Sequence, residues 1–153
     1  MPAYHVLAYL EAAFLWVYYN QLADKKVPYA GLLVLLLLYS ANVYLQDINY
    51  TFNSNTWTCT VMLIMLLGIG HFRNIYHSEI TVPLVRQPEF FITAGWLIYA
   101  GGSLFSYLMG TDILSGTPDG FFTNAWIFQC FANIIKNGLI AYGLAISGIT
   151  CHK

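Results

Sequence analysis

Two opposite charges stand alone inside long apolar stretches of this sequence. Glu11 lies within AYHVLAYLEAAFLWVYYNQL, and Lys136 lies within FFTNAWIFQCFANIIKNGLIAYGLAISGI. A cation near the centre of a membrane span costs roughly 2.5–3.5 kcal/mol on the insertion scale, so it must face protein or water rather than lipid. Gln129, Asn133 and Lys136 follow at i, i+4 and i+7, which places them on one helical face with Trp126 and Asn137 alongside. Glu11 has two readings. It is a carboxyl kept protonated or hydrogen-bonded by a neighbouring helix, or it binds a ligand or handles protons. The polar interior is therefore expected to be built from Glu11, Gln129, Asn133, Lys136 and Asn137.

Other chemistry-bearing residues fit less well. His71, His77 and Glu79 sit at i, i+6 and i+8, a spacing that does not gather them on one helical face as HExxH does. No metal site is expected, and no cofactor: His5 and His71 fall at opposite ends of their segments, which speaks against a haem held between two histidines. Cys59 and Cys130 fall in apolar segments and read as buried thiols, not as a disulfide framework. Neither a nucleophile elbow nor a Gly-rich phosphate loop is present, so an intramembrane enzyme has no recognisable motif.

The elements that must position these residues follow from composition. Of 153 residues, 58% are apolar, 17% aromatic and only 8% charged. A soluble domain carries about 25% charged residues, so this chain takes lipid as its solvent. A net charge of −1 with six basic residues leaves no patch for nucleic acid. The apolar stretches predict an all-α, polytopic membrane protein: one membrane domain over 1–153, a bundle of five transmembrane helices at about 3–22, 28–46, 56–72, 90–109 and 121–149. Pro28 and Pro88 suit helix starts, where a missing N–H costs nothing. Within the fourth span Gly95 and Gly102 lie seven residues apart, about two turns, and share a face suited to close helix approach.

Orientation follows from the loops. Lys25 and Lys26 lie in the first connection, Arg73 and Arg86 in the third, and Lys153 at the end, while the second and fourth connections carry no Lys or Arg. An N-terminus outside and a C-terminus in the cytoplasm puts all of these charges inside, as the positive-inside bias asks. In that frame Glu11 sits roughly 12 Å below the outer face and Lys136 roughly 22 Å, an offset of about 10 Å. Helix tilt, side-chain reach, or bridging through Asn133 or water would bring them into one cluster; alternatively Lys136 snorkels towards the cytoplasmic headgroups and never meets Glu11.

The fourth span also carries a pattern: Pro88-x-Phe90-Phe91-Ile92-x-x-Gly95, then Tyr99, Gly102 and Phe105. It resembles an uncharacterised family of multi-span bacterial inner-membrane proteins, similar to the membrane region of some sensor histidine kinases. That family usually has Trp where this chain has Phe91. His5 with Glu11, and Trp126 with Asn133 and Asn137, fit its early and last spans. The resemblance implies about seven spans, of which the first two are absent here, and a place in the cell inner membrane. It also implies helix packing through Gly95, Tyr99 and Gly102.

The function expected is a sensory or regulatory membrane module that binds a small ligand or lipid and signals through helix packing. The alternative is a small transporter or channel component using Glu11 and Lys136. The expected partners are the lipid bilayer and a second copy or another membrane protein. Cysteines introduced at 47–55 and 110–120 should label with an impermeant thiol reagent in intact cells; labelling at 25–26 instead would reverse the orientation.

Overall fold

The computed structural model describes residues 2–23, 29–45, 54–77, 83–108 and 120–150. They form five α-helices: α1 Pro2–Leu22, α2 Ala30–Leu45, α3 Ser54–His77, α4 Pro88–Leu108 and α5 Gly120–Thr150. A short 3-10 turn, Leu84–Arg86, leads into α4. Glu89 in the first turn of α4 complements the positive end of the helix dipole.

Three helices are long and apolar enough to cross a membrane: Ser54–His77, Pro88–Leu108 and Trp126–Gly148. That is fewer than the five spans the sequence predicts. α1 has the length, but His5, Glu11, Asn20, Gln21 and several tyrosines dilute its apolar character. α2 has the apolar character, but its 16 residues rise only about 24 Å at 1.5 Å each, short of the roughly 30 Å hydrocarbon layer. A second difference concerns the expected connection at 73–89. α3 continues through Arg73 to His77, so both side chains stand on a helix and not in a loop. Lys25, Lys26, Glu79 and the polar stretch at 110–119 lie outside the described residues.

Consecutive helices run antiparallel, and their seams have distinct chemistry. On α1, Ala8, Ala12, Leu15 and Tyr19 recur at four, three and four residues, forming a buried stripe. It belongs to the same core as Trp57, Val61 and Ile64 of α3, with Ala100 and Tyr107 of α4 completing it. Small residues at 8 and 12 let these helices approach closely, which matters where lipid removes the hydrophobic drive for association.

α2 packs on α1 through Gly31 against Trp16 and Tyr39 edge-on to Tyr9, and it is joined to α3 by hydrogen bonds. Asn42 Nδ2 donates to Thr56 Oγ1 at 2.8 Å, and Asn55 Nδ2 donates to Asn42 Oδ1 at 3.2 Å. One turn along, Tyr39 Oη and Thr60 Oγ1 share a bond of 2.5 Å. The opposite face of α2, with Leu33, Leu37 and Leu45, is exposed. Cys59 and Cys130 are likewise exposed and free, correcting the expectation of buried thiols. The inward positions are taken by Thr60, next in sequence to Cys59, and by Ala132, two residues after Cys130 and nearly opposite it on the helix.

α4 and α5 form the most extensive interface. It is a seam of glycines met by backbone. A Cβ at Gly102 would come 2.7 Å from Ala132 Cβ, and one at Gly143 would come 2.9 Å from the Pro88 carbonyl oxygen. Gly102→Leu is therefore expected to force α4 and α5 apart and destabilise the fold by about 1–3 kcal/mol or more. Leu37→Ala, at a side chain 69% exposed, should change little. Thermal aggregation in detergent compares them, and equal tolerance at both positions would remove the packing role.

Candidate functional site

Lys136 reaches the interior because of where α5 meets α4. The α5 seam runs Gln129, Ala132, Lys136, Leu139, Gly143, at alternating three- and four-residue steps. Opposite Lys136 stands Gly95, where an added Cβ would lie 3.0 Å from the Lys136 carbonyl oxygen and 3.3 Å from Leu139 Cβ. The missing side chain at Gly95 lets the two backbones touch, and the Lys136 side chain then extends along α4.

There it meets two aromatic faces. Lys136 Nζ lies 4.4 Å from the Trp96 ring centroid and 4.0 Å from that of Tyr99. The two rings, three residues apart on α4, stand 5.9 Å apart at 81°, forming a right-angled corner around the ammonium. Each ring face carries the negative end of the aromatic quadrupole. A desolvated contact of this kind is worth about 2 kcal/mol, so two of them offset much of the cost of holding the cation within a span.

A hydrogen-bonded chain leads away from the corner. Tyr99 Oη bonds Tyr107 Oη at 2.9 Å, and Gln129 Nε2 donates to Tyr107 Oη at 2.8 Å. Trp57 of α3 stacks on Tyr107, centroids 5.2 Å apart at 19°. Lys136 and Gln129 of α5, Trp96, Tyr99 and Tyr107 of α4, and Trp57 of α3 thus make one continuous polar and aromatic layer. The Oε1 atom of Gln129 is buried there without a hydrogen-bond partner among the described residues.

Glu11 faces this layer from α1. It is half-buried, and its carboxylate acts electrostatically on Lys136, Tyr39, Tyr99 and Tyr107. No ion pair joins it to Lys136: the ammonium is turned onto the rings, and Glu11 attracts it through space.

Of the sequence-predicted residues, Gln129 and Lys136 share the α4–α5 seam with Tyr99, Gly95 and Gly102, and Glu11 is linked to Lys136 only electrostatically. Asn133 and Asn137 do not join them; both are exposed. The i, i+4, i+7 stripe is wider than the seam it was drawn from. Asn133 and Asn137 each follow a seam residue by one position, which turns them about 100° around the helix. Bridging of Glu11 to Lys136 through Asn133 is accordingly replaced by the aromatic corner. Trp96, Tyr107 and Trp57 were missed by sequence reasoning, although Trp96 and Tyr99 at i, i+3 already share a helix face.

Histidines are scattered around this site. His5 is buried on α1, and His71 and His77 stand near the far end of α3. Among the described residues no three His, Cys, Asp or Glu side chains converge as a metal site. No protein-family model, curated protein or solved structure matches the chain.

If Glu11 and Lys136 stabilise each other, removing one leaves a lone charge in the interior. Lys136→Met should then be more damaging than Lys136→Met combined with Glu11→Gln, by a coupling of about 0.5–3 kcal/mol. Thermal aggregation in detergent gives the comparison, and a double variant no more stable than the single would dissolve the pair.

Proposed function

We propose that this chain is a sensory or regulatory module of the cell inner membrane, crossing it five times with the N-terminus outside. In this reading a small ligand or lipid shifts the packing of α5 on α4, and a partner membrane protein or second copy reads the shift. The observation that carries it is the Lys136 corner. The ammonium rests on Trp96 and Tyr99 while its opposite charge, Glu11, attracts it from another helix without touching it. A cation that rests on rings while an opposite charge attracts it from another helix is a group whose position a ligand could bias, which is what a switch requires. Gly95 ties the choice to helix packing, because the backbone at Lys136 lies directly against α4. The fourth-span resemblance to membrane regions of sensor kinases points the same way.

The same charge pair supports a second reading, a small transporter or channel component in which Glu11 and Lys136 line a solute or proton path. Proteoliposomes with a pH- or potential-sensitive dye separate the two. The sensory reading expects no flux, together with a shift in Trp96 emission between wild type and Glu11→Gln when the other three tryptophans are replaced by Phe. Flux that Glu11→Gln abolishes would replace it with transport.

A further inference from the structure

A cavity of about 560 Å³ opens between the last turns of α1 and α3, away from Lys136. Trp16, Tyr19 and Asn20 line it from α1, and His71, Arg73 and His77 from α3. Its size lies within the roughly 300–1,000 Å³ of small-molecule sites. A bare inorganic anion would leave most of it empty.

The wall needs an acceptor. Trp16 Nε1–H can only donate, and it is buried with no partner among the described residues; His71 Nε2 is buried in the same state. Both residues line the cavity, so an oxygen bound there is a candidate partner for each. The rim asks for negative charge. Arg73 and His77 are exposed there, the guanidinium is permanently charged, and among the described residues no acidic side chain lines the cavity. Glu89 of α4 lies within electrostatic reach of His71 but is not part of the wall.

Asn20 and Asn74 add polar groups to the wall, and the rest of it is aromatic and apolar. The Tyr19 and His71 rings stand 5.8 Å apart at 55°, and Leu66 and Leu67 continue the wall along α3. Leu66 is 71% exposed, so the cavity runs out onto the outer surface of the helix pair. Donors, a fixed cation and an apolar exit together describe the joint between a headgroup and its hydrocarbon.

We propose that this cavity binds a phosphate ester, with phosphate oxygens on Arg73, Trp16 Nε1–H and His71 and the apolar part along Leu66 and Leu67. Arginine matches phosphate through paired N–H donors, which lysine cannot reproduce. The assignment names the ligand class for the sensory reading and rests on that reading for its place at a membrane surface. The binding itself is separate from what α5 does.

Native mass spectrometry of the full chain in detergent tests it, with phosphatidylglycerol and glycerol 3-phosphate titrated separately. One bound molecule per chain is expected, with occupancy lowered about tenfold in Arg73→Gln, the loss expected for one charge-assisted hydrogen bond. Arg86→Gln, exposed and outside the cavity, should bind as wild type does. Arg73-dependent binding of phosphatidylglycerol alone identifies a bilayer lipid as the source. Arg73-dependent binding of glycerol 3-phosphate, alone or in competition, identifies a soluble ester. Binding of neither probe, or equal loss in the Arg73 and Arg86 variants, overturns the site. That result would leave the flux and Trp96 measurements untouched, and flux in those measurements would leave this binding untouched.

Discussion

The placement of one ammonium, that of Lys136, constrains more of this structure than any other group. A charge this far inside an apolar helix needs partners that lipid cannot supply, and water is distant from both ends. Aromatic faces answer that need without introducing a second charge. They do so only if α4 lies close enough for Trp96 and Tyr99 to stand beside α5. That distance is set at Gly95, where the Lys136 backbone occupies the space a side chain would fill. The glycine pattern of α4 and the cation of α5 are thus two halves of one requirement. Gly102 and Gly143 hold the same separation on either side of it.

Elsewhere the helices are joined by other means, and the contrast is physical. α1 and α3 share an alanine-lined stripe capped by aromatic rings, whereas α2 is joined to α3 by Tyr39–Thr60 and Asn42–Thr56. In lipid, apolar side chains gain little from leaving their solvent, so close packing of small residues and inter-helix hydrogen bonds carry association. Each bond of the second kind is worth about 1 kcal/mol, so α2 is the least firmly held helix. α5 is its opposite, fixed along one seam and exposed over most of its remaining surface.

Much of this was legible from residue types, and the failures have identifiable causes. A charge inside an apolar run is rare enough to mark an interior, which is why Glu11 and Lys136 could be singled out. Their partners could not: with 17% aromatic residues, nothing distinguishes Trp96 from the other rings until the helices are docked. The shared face of Gly95 and Gly102 follows from seven-residue spacing, but spacing does not reveal what lies opposite. Asn133 and Asn137 mislead because a stripe drawn at i, i+4, i+7 takes in the flank of a narrow seam. The span count was legible in part, since three helices qualify by length and apolarity. α1 is long enough, but His5, Glu11, Asn20 and Gln21 lower its hydropathy, and of these only Glu11 faces the site.

Those polar groups close the arrangement. α1 packs on α2 and α3, α3 on α4, and α4 on α5, so Glu11 and Lys136 sit on helices at opposite ends of that series. Their attraction is long-range and depends on the medium between them. The interaction of two charges at fixed separation is about fourfold stronger at an effective dielectric constant near 20 than in water. Lys136 itself is held by its aromatic corner, and Gly95 sets the approach of the two helices that build that corner.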